Sequence, residues 1–214
     1  MIRPWPAMRL THLETARLCR MTTSLSPLGK PRPTQARLVP VDTISEEVAD
    51  IFSKGITAGN GEPLNIFKTI AHHPKLLKRF MTFAGFFLNK GVLPVREREI
   101  VILRVGWNCQ SVYEFGQHTI IGERVGLTMQ EITDLTKDIG AVNWSARDRT
   151  LIEMCDDLCR DDCVSDTTWQ LLQTHWNETE LVELIMVAGT YRLVSGFLNT
   201  MGVELDADTP GWPQ

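Results

Sequence analysis

Four times along this chain a hydroxyl or amide side chain stands three residues ahead of an acid: Thr43 with Glu46, Thr128 with Glu131, Ser145 with Asp148 and Asn177 with Glu180. Such a side chain accepts from the free N–H groups of a first helical turn while the acid reaches back, so each pair marks a helix start. Alternating apolar runs, the mark of half-buried strands, are almost missing. The chain is therefore expected to be all-α, with helices over 44–54, 64–71, 74–90, 95–107, 110–125, 129–137, 146–160, 167–175 and 178–199. Gly91 and Gly126 are the expected C-terminal stops. The run Ile100-Val101-Ile102-Leu103 is apolar on every face, which predicts a helix buried on all sides at the centre of the fold. A faint echo links 95–100 with 146–151, and leaves open either two related helical halves or chance similarity of two capped starts.

A chain of 214 residues can bury one substantial core, and its 43% apolar and 22% charged residues are those of an ordinary globule. A net charge of -4 offers no footprint for nucleic acid. No stretch approaches the roughly 20 apolar residues of a membrane span. Five cysteines at irregular spacing (Cys19, Cys109, Cys155, Cys159, Cys163) do not form the framework of a secreted domain, so a reducing, cytoplasmic compartment is expected. Residues 1–40 are expected to be an extended or disordered arm, broken by Pro27, Pro31, Pro33 and Pro40. Within it, residues 1–20 read either as a misassigned start, with Met21 the first residue, or as a targeting segment. The helical domain is expected over 41–205, followed by a tail at 206–214.

Glu114, His118, Ile121 and Val125 follow a helical rhythm and share one core-facing stripe. A carboxylate one turn from an imidazole favours its charged form and burial opposes it, so His118 is expected to titrate near neutrality, as a proton carrier requires. A purely structural Glu-His pair fits the same spacing. Glu99 enters the apolar helix where a charge needs a partner, with Arg96, Arg98 and Arg104 in reach; an ion pair and a catalytic role are both open. Cys109 is placed at a helix start, where the dipole lowers a thiol pKa, and reads as a lone reactive thiol or a buried inert one. Cys155, Cys159 and Cys163 lie among aspartates, but Asp161-Asp162 mark a helix end that turns Cys163 away, and no metal is expected. His72 and His73, before Pro74, are expected between two helices, and His175, Trp169 and Trp176 in packing or an interface. No glycine-rich phosphate loop, nucleophile elbow or two-histidine zinc motif is present.

The stretches His73-Pro74-Lys75-Leu76-Leu77, Leu93-Pro94-Val95-Arg96-Glu97-Arg98-Glu99 and Tyr113-Glu114-Phe115-Gly116-Gln117-His118, then Gly122 and Gly126-Leu127-Thr128, resemble the carboxymuconolactone decarboxylase and alkylhydroperoxidase D-like family. The resemblance covers roughly a third of the chain. It implies a compact helical domain assembling into homo-oligomers, commonly trimers or hexamers, with the site at or near a subunit interface. In the alkylhydroperoxidase D branch a glutamate, a Cys-x-x-Cys pair and a histidine relay protons to a thiolate. Here the glutamate corresponds to Glu99 and the two thiol positions hold Ser111 and Glu114, so no second sulfur is expected near Cys109 to resolve an oxidised one. The decarboxylase branch lacks that pair and keeps an acid and a histidine.

The resemblance therefore implies a cofactor-free acid-base lyase acting on a small anionic lactone or aromatic-derived compound. His118 would donate the proton, Glu114 or Glu99 would orient it, and Arg96, Arg98, Arg104, Tyr113 and Cys109 are the substrate-binding candidates. A peroxide reductase using Cys109 and a non-catalytic helical oligomer are the alternatives.

Overall fold

The computed structural model describes residues 23–53 and 61–213, so the expectations for residues 1–20 lie outside the described residues. A hairpin, β1 (Thr23–Leu25) and β2 (Pro31–Pro33), comes first. Nine helices among the described residues follow: α1 (Glu46–Phe52), α2 (Asn65–Ile70), α3 (Pro74–Asn89), α4 (Val95–Asn108), α5 (Val112–Arg124), α6 (Met129–Asp134), α7 (Ala146–Asp161), α8 (Asp166–His175) and α9 (Glu178–Met201). A short 3-10 turn, Ile139–Ala141, precedes α7.

The expected caps form at Thr128, Ser145 and Asn177, the first and last as full capping boxes. At α1 the cap is Ser45 and not Thr43, because the helix opens two residues later and Ser45 accepts from the Val48 N–H. Gly126 has the left-handed φ of a helix stop, 99°. Gly91 serves another purpose: a Cβ there would lie 2.2 Å from Glu183 Oε1, and that carboxylate accepts from the N–H groups of Val92 and Leu93. Its missing side chain lets α9 cap the turn after α3.

Ile100, Val101, Ile102 and Leu103 are completely buried, and α4 packs against α5, α7 and α9. The sequence echo lies along the α4–α7 contact. Arg96 pairs with Asp148 at 2.9 Å and Arg147 with Glu97 at 2.6 Å, so equivalent first-turn residues cross reciprocally between the two helices. One apolar cluster gathers around α4, α7 and the first half of α9; a second joins α1, α2 and α3 to Tyr113 and to Val194 and Leu198 of α9. By length and composition α9 could cross a membrane, with a mean hydropathy of 1.5, yet 56% of that window is buried inside the protein, where it spans both clusters. It works here as a core helix.

Two segments outside the bundle are fastened to it. In the hairpin Ser24 faces Arg32, and Pro31 and Pro33 sit on a strand with no further neighbour, where a missing N–H is tolerated. Leu28 N–H donates to Gln110 Oε1, Lys30 Nζ to the Asn108 carbonyl, and Arg32 to the carbonyls of Cys109 and Gln110. The part of the arm from residue 23 is thus ordered against the bundle. The expected tail from 206 is also part of the body: Asp206 accepts from Asn65 N–H, Tyr113 O–H and Gln117 Nε2. The Pro210 carbonyl lies so close to α5 that a Cβ at Gly116 would sit 2.2 Å from it, and Trp212 packs edge-on to Trp107. The segment expected as a tail from 206 is thus held on the bundle by Asp206, Thr209, Trp212 and backbone, contacts that its short sequence does not announce. Asp206→Ala strands the buried Tyr113 hydroxyl and the Asn65 N–H; a loss of roughly 2–4 kcal/mol is expected from the two orphaned groups, read from the urea unfolding midpoint.

Candidate active site

Glu99 sits one turn into α4, and Glu114 and His118 lie one turn apart near the start of α5. Because α4 and α5 pack directly together, the three side chains converge. His118 Nδ1 is 2.6 Å from Glu99 Oε2, and His118 Nε2 is 3.1 Å from Glu114 Oε1. The other Glu99 oxygen, Oε1, accepts from Arg98 Nε at 2.9 Å and Nη2 at 2.8 Å. Arg98 in turn donates to the carbonyls of Phe87 and Leu88 at the end of α3. Glu99 is 0% exposed, Glu114 4% and His118 5%.

Both ring nitrogens of His118 thus face carboxylates. A neutral imidazole has one N–H and would set its bare nitrogen against an acceptor; only the imidazolium satisfies both sides. Burial is the largest single influence on His118 and works against charge, but Glu99 and Glu114 together outweigh it and raise its pKa to about 9. Burial likewise opposes the charge on Glu99, yet His118 and Arg98 hold its carboxyl below the ordinary value. The expected titration near neutrality is corrected: two carboxylates, not one, face the ring. The resting ring is a proton donor.

Beside this cluster lies a cavity of about 90 Å³, lined by Phe80, Tyr113, Glu114, Gln117, His118 and Tyr191 among others. A wider apolar groove of about 430 Å³ adjoins it, with Ile66, Phe80 and Val194 lining both. The Tyr191 ring meets His118 edge-on at 5.0 Å. Burial pushes the Tyr113 and Tyr191 phenols well up, with Asp206 adding to the first and Glu114 to the second, so both remain protonated.

Of the expected site residues, Glu99, Glu114, His118, Arg98 and Tyr113 come together. Arg96 and Arg104 do not. Arg96 is held by Asp148 and Glu131, and Arg104 by Asp156 and the carbonyls of Leu135 and Lys137, because the α4 faces that carry them point to α7 and the loop after α6. Cys109 is absent from the cavity lining and caps the end of α4, with α5 opening only at Val112, so the helix-start dipole invoked for it does not act there. Ser111, at the first family thiol position, is completely buried, and its hydroxyl has no partner among the described residues. Gln117, Tyr191 and Asp206 were missed. Gln117 alone had a signal, its place beside His118 in the quoted motif.

A charged ring between carboxylates stabilises the fold most fully below the ordinary histidine value of 6.5, and that contribution is lost as pH rises through about 9. An NMR titration of the ring should show His118 still charged at pH 8, and Glu99→Gln should lower its midpoint toward 6.5. His118→Ala should cost about 3–5 kcal/mol in urea unfolding, since it leaves two buried carboxylates facing each other.

Residues 74–155 match the model of the carboxymuconolactone decarboxylase family. No curated protein sequence matches the chain. Among solved structures, a peroxidase-related protein from Silicibacter sp. TM1040 superposes with a TM-score of 0.72 at 15% identity, covering 85% of this chain and 98% of its own. An alkylhydroperoxidase AhpD core protein from Ralstonia eutropha JMP134 gives 0.65 at 17% identity, covering 79% and 94%. The debrominase Bmp8, in a cysteine-to-alanine form with 2,3,4-tribromopyrrole, gives 0.66 at 10% identity, covering 81% and 94%. At such identities the shared property is the fold. The likeness to the carboxymuconolactone decarboxylase family is thus carried by residues 74–155, and the helical architecture around them is similar to that of the AhpD-like structures.

Proposed function

We propose that the chain is a proton-transfer enzyme of the lyase type, acting on a small cyclic or aromatic-derived compound, with the His118 imidazolium as general acid. The observation that carries this reading is the ring held between Glu99 and Glu114 beside a mostly apolar cavity that Glu114 and His118 line. The two contacts are unequal. Glu99 is pinned by Arg98 and sits close to Nδ1; Glu114 sits farther from Nε2 and lines the cavity. A substrate reaching the cavity displaces Glu114 from Nε2, takes the proton there as negative charge develops on it, and leaves Glu99 to orient the ring. A proton taken up from solvent then recharges the ring, and Glu114 returns to Nε2.

In a decarboxylation the electrons of the breaking carbon–carboxylate bond pass into a conjugated carbonyl, and His118 protonates the resulting enolate at carbon. The dry walls discourage water from supplying that proton first. Charge neutralisation of the expected small anionic substrate by Arg96, Arg98 or Arg104 loses support, since Arg96 and Arg104 are engaged elsewhere and Arg98 is bound to Glu99. A substrate with at most one negative charge fits better, because the imidazolium is then its counter-ion. That the debrominase Bmp8, of similar fold, holds a tribromopyrrole is in keeping with a small ring as ligand. The proposal uses no metal or cofactor, and it includes the cytoplasmic location and homo-oligomeric state expected above. Exposed Leu76, Phe83 and Leu193, which line the wide groove, are the surface a second copy would cover.

The test is a thermal-shift screen of lactones, aromatic acids and hydroperoxides, followed by turnover of whatever binds. His118→Gln should lower kcat by about 100-fold or more while ligand stabilisation persists. Full turnover in that variant would overturn the reading, and so would a screen in which no compound stabilises the wild type. Cys109→Ser should leave this turnover unchanged.

A further inference from the structure

The polar side chains that line the His118 cavity are committed to partners within the protein, with one exception. Tyr113 O–H donates to Asp206, and its oxygen accepts from the Ile66 N–H. Gln117 Nε2 uses both of its N–H bonds, on Asp206 at 2.9 Å and on Thr209 at 2.7 Å. Glu114 faces His118 Nε2 at 3.1 Å. Tyr191, from the middle of α9, lines the same cavity and is only 5% exposed, yet its hydroxyl has no hydrogen-bond partner among the described residues.

Buried polar groups are nearly always paired, so an orphan hydroxyl in an interior calls for a partner from outside the chain. A phenylalanine at this position would pack the same ring edge-on against His118 and leave no oxygen unpaired, so packing does not account for the phenol. Ser111 and Ser195 also have partnerless hydroxyls, but both are sealed off from solvent and neither lines the cavity. Only Tyr191 combines a free donor with open space before it. Its ring centroid lies 5.0 Å from that of His118, and the two residues share the walls of a cavity of about 90 Å³, so one small molecule meets both.

We propose that the Tyr191 hydroxyl is the hydrogen-bond donor to the substrate oxygen on which negative charge develops, and that the substrate is a ring compound with a carbonyl conjugated to the breaking bond. The assignment rests on the proton-transfer reading above and supplies the second contact which that reaction needs. As carbon dioxide leaves, the electrons of the carbon–carboxylate bond become the carbon–carbon double bond of an enolate, and the carbonyl π pair moves onto oxygen. Tyr191 holds that oxygen through its O–H and keeps its own proton, since burial and the charges of Glu114 and Glu99 push the phenol well up. The electron pair then returns from oxygen, carbon takes the proton of His118 Nε2, and the carbonyl is restored. His118 gives up a proton; Tyr191 only lends one.

4-Cyanophenol is the probe, because its ionised form carries an enolate-like oxygen on a flat ring and is told from the neutral phenol by ultraviolet absorption. Titrated into the full chain it should bind as the phenolate, and Tyr191→Phe should weaken that binding by about 10-fold or more. Benzonitrile, the same ring without the oxygen, should shift the melting temperature of both proteins equally. Since Tyr191→Phe removes no hydrogen bond within the protein, its urea midpoint should hold or rise, and His118 should keep its raised NMR midpoint. Equal phenolate affinity in the two proteins, equal weakening of both ligands, or a wild type that binds no phenolate would overturn the assignment. Failure of the proposed reaction shows separately, as full turnover in His118→Gln, and leaves the phenolate result standing.

Discussion

Everything near the candidate site depends on a buried imidazolium shared by two carboxylates. Glu99 could not remain charged at the centre of an apolar helix alone, and Glu114 would be nearly as costly one helix away. His118 supplies one positive charge between them and Arg98 a second from behind, so the four groups sum to zero within a dry interior. Removing any one of them leaves an uncompensated charge on the others. Such an arrangement fixes the relative rotation of α4 and α5 more tightly than apolar contact alone, because the donors and acceptors meet in only one setting.

That rigidity has a chemical use. A proton donor of this kind is preorganised before substrate arrives, and the carboxylate behind it cannot relax away when the ring gives up its charge. In the reaction proposed above, the short Glu99 contact is the one that holds the ring and the longer Glu114 contact the one that yields to substrate. Tyr191 and the apolar lining keep the medium poor in water, which strengthens each of these interactions.

What the sequence revealed and what it hid divide by range. One-turn spacing placed Glu114 with His118, and the all-apolar run placed Glu99 at the centre, since both are properties of single helices. Asp206 and Tyr191 reach the site from distant segments with no periodic relation to it, and nothing local announces them. The arginines show the same limit: Arg96, Arg98 and Arg104 are close in the chain, but helical rotation turns Arg96 and Arg104 toward aspartates of α7, and only Arg98 faces Glu99. The echo between 95–100 and 146–151, by contrast, lies in two helices that do run side by side. Gly91 misled in an instructive way, since it is small to admit Glu183 and not to end a helix, much as Gly116 is small to admit Pro210.

The chain end beyond α9 lies across α5 as a strap: Pro210 rests on Gly116, Trp212 leans on Phe115, and Asp206 fixes Tyr113 and Gln117, both of which line the His118 cavity. Anything joined to this terminus, whether an affinity handle or a fluorescent fusion, would tug on a wall of the pocket. Recombinant work on this protein is best served by handles at the opposite end.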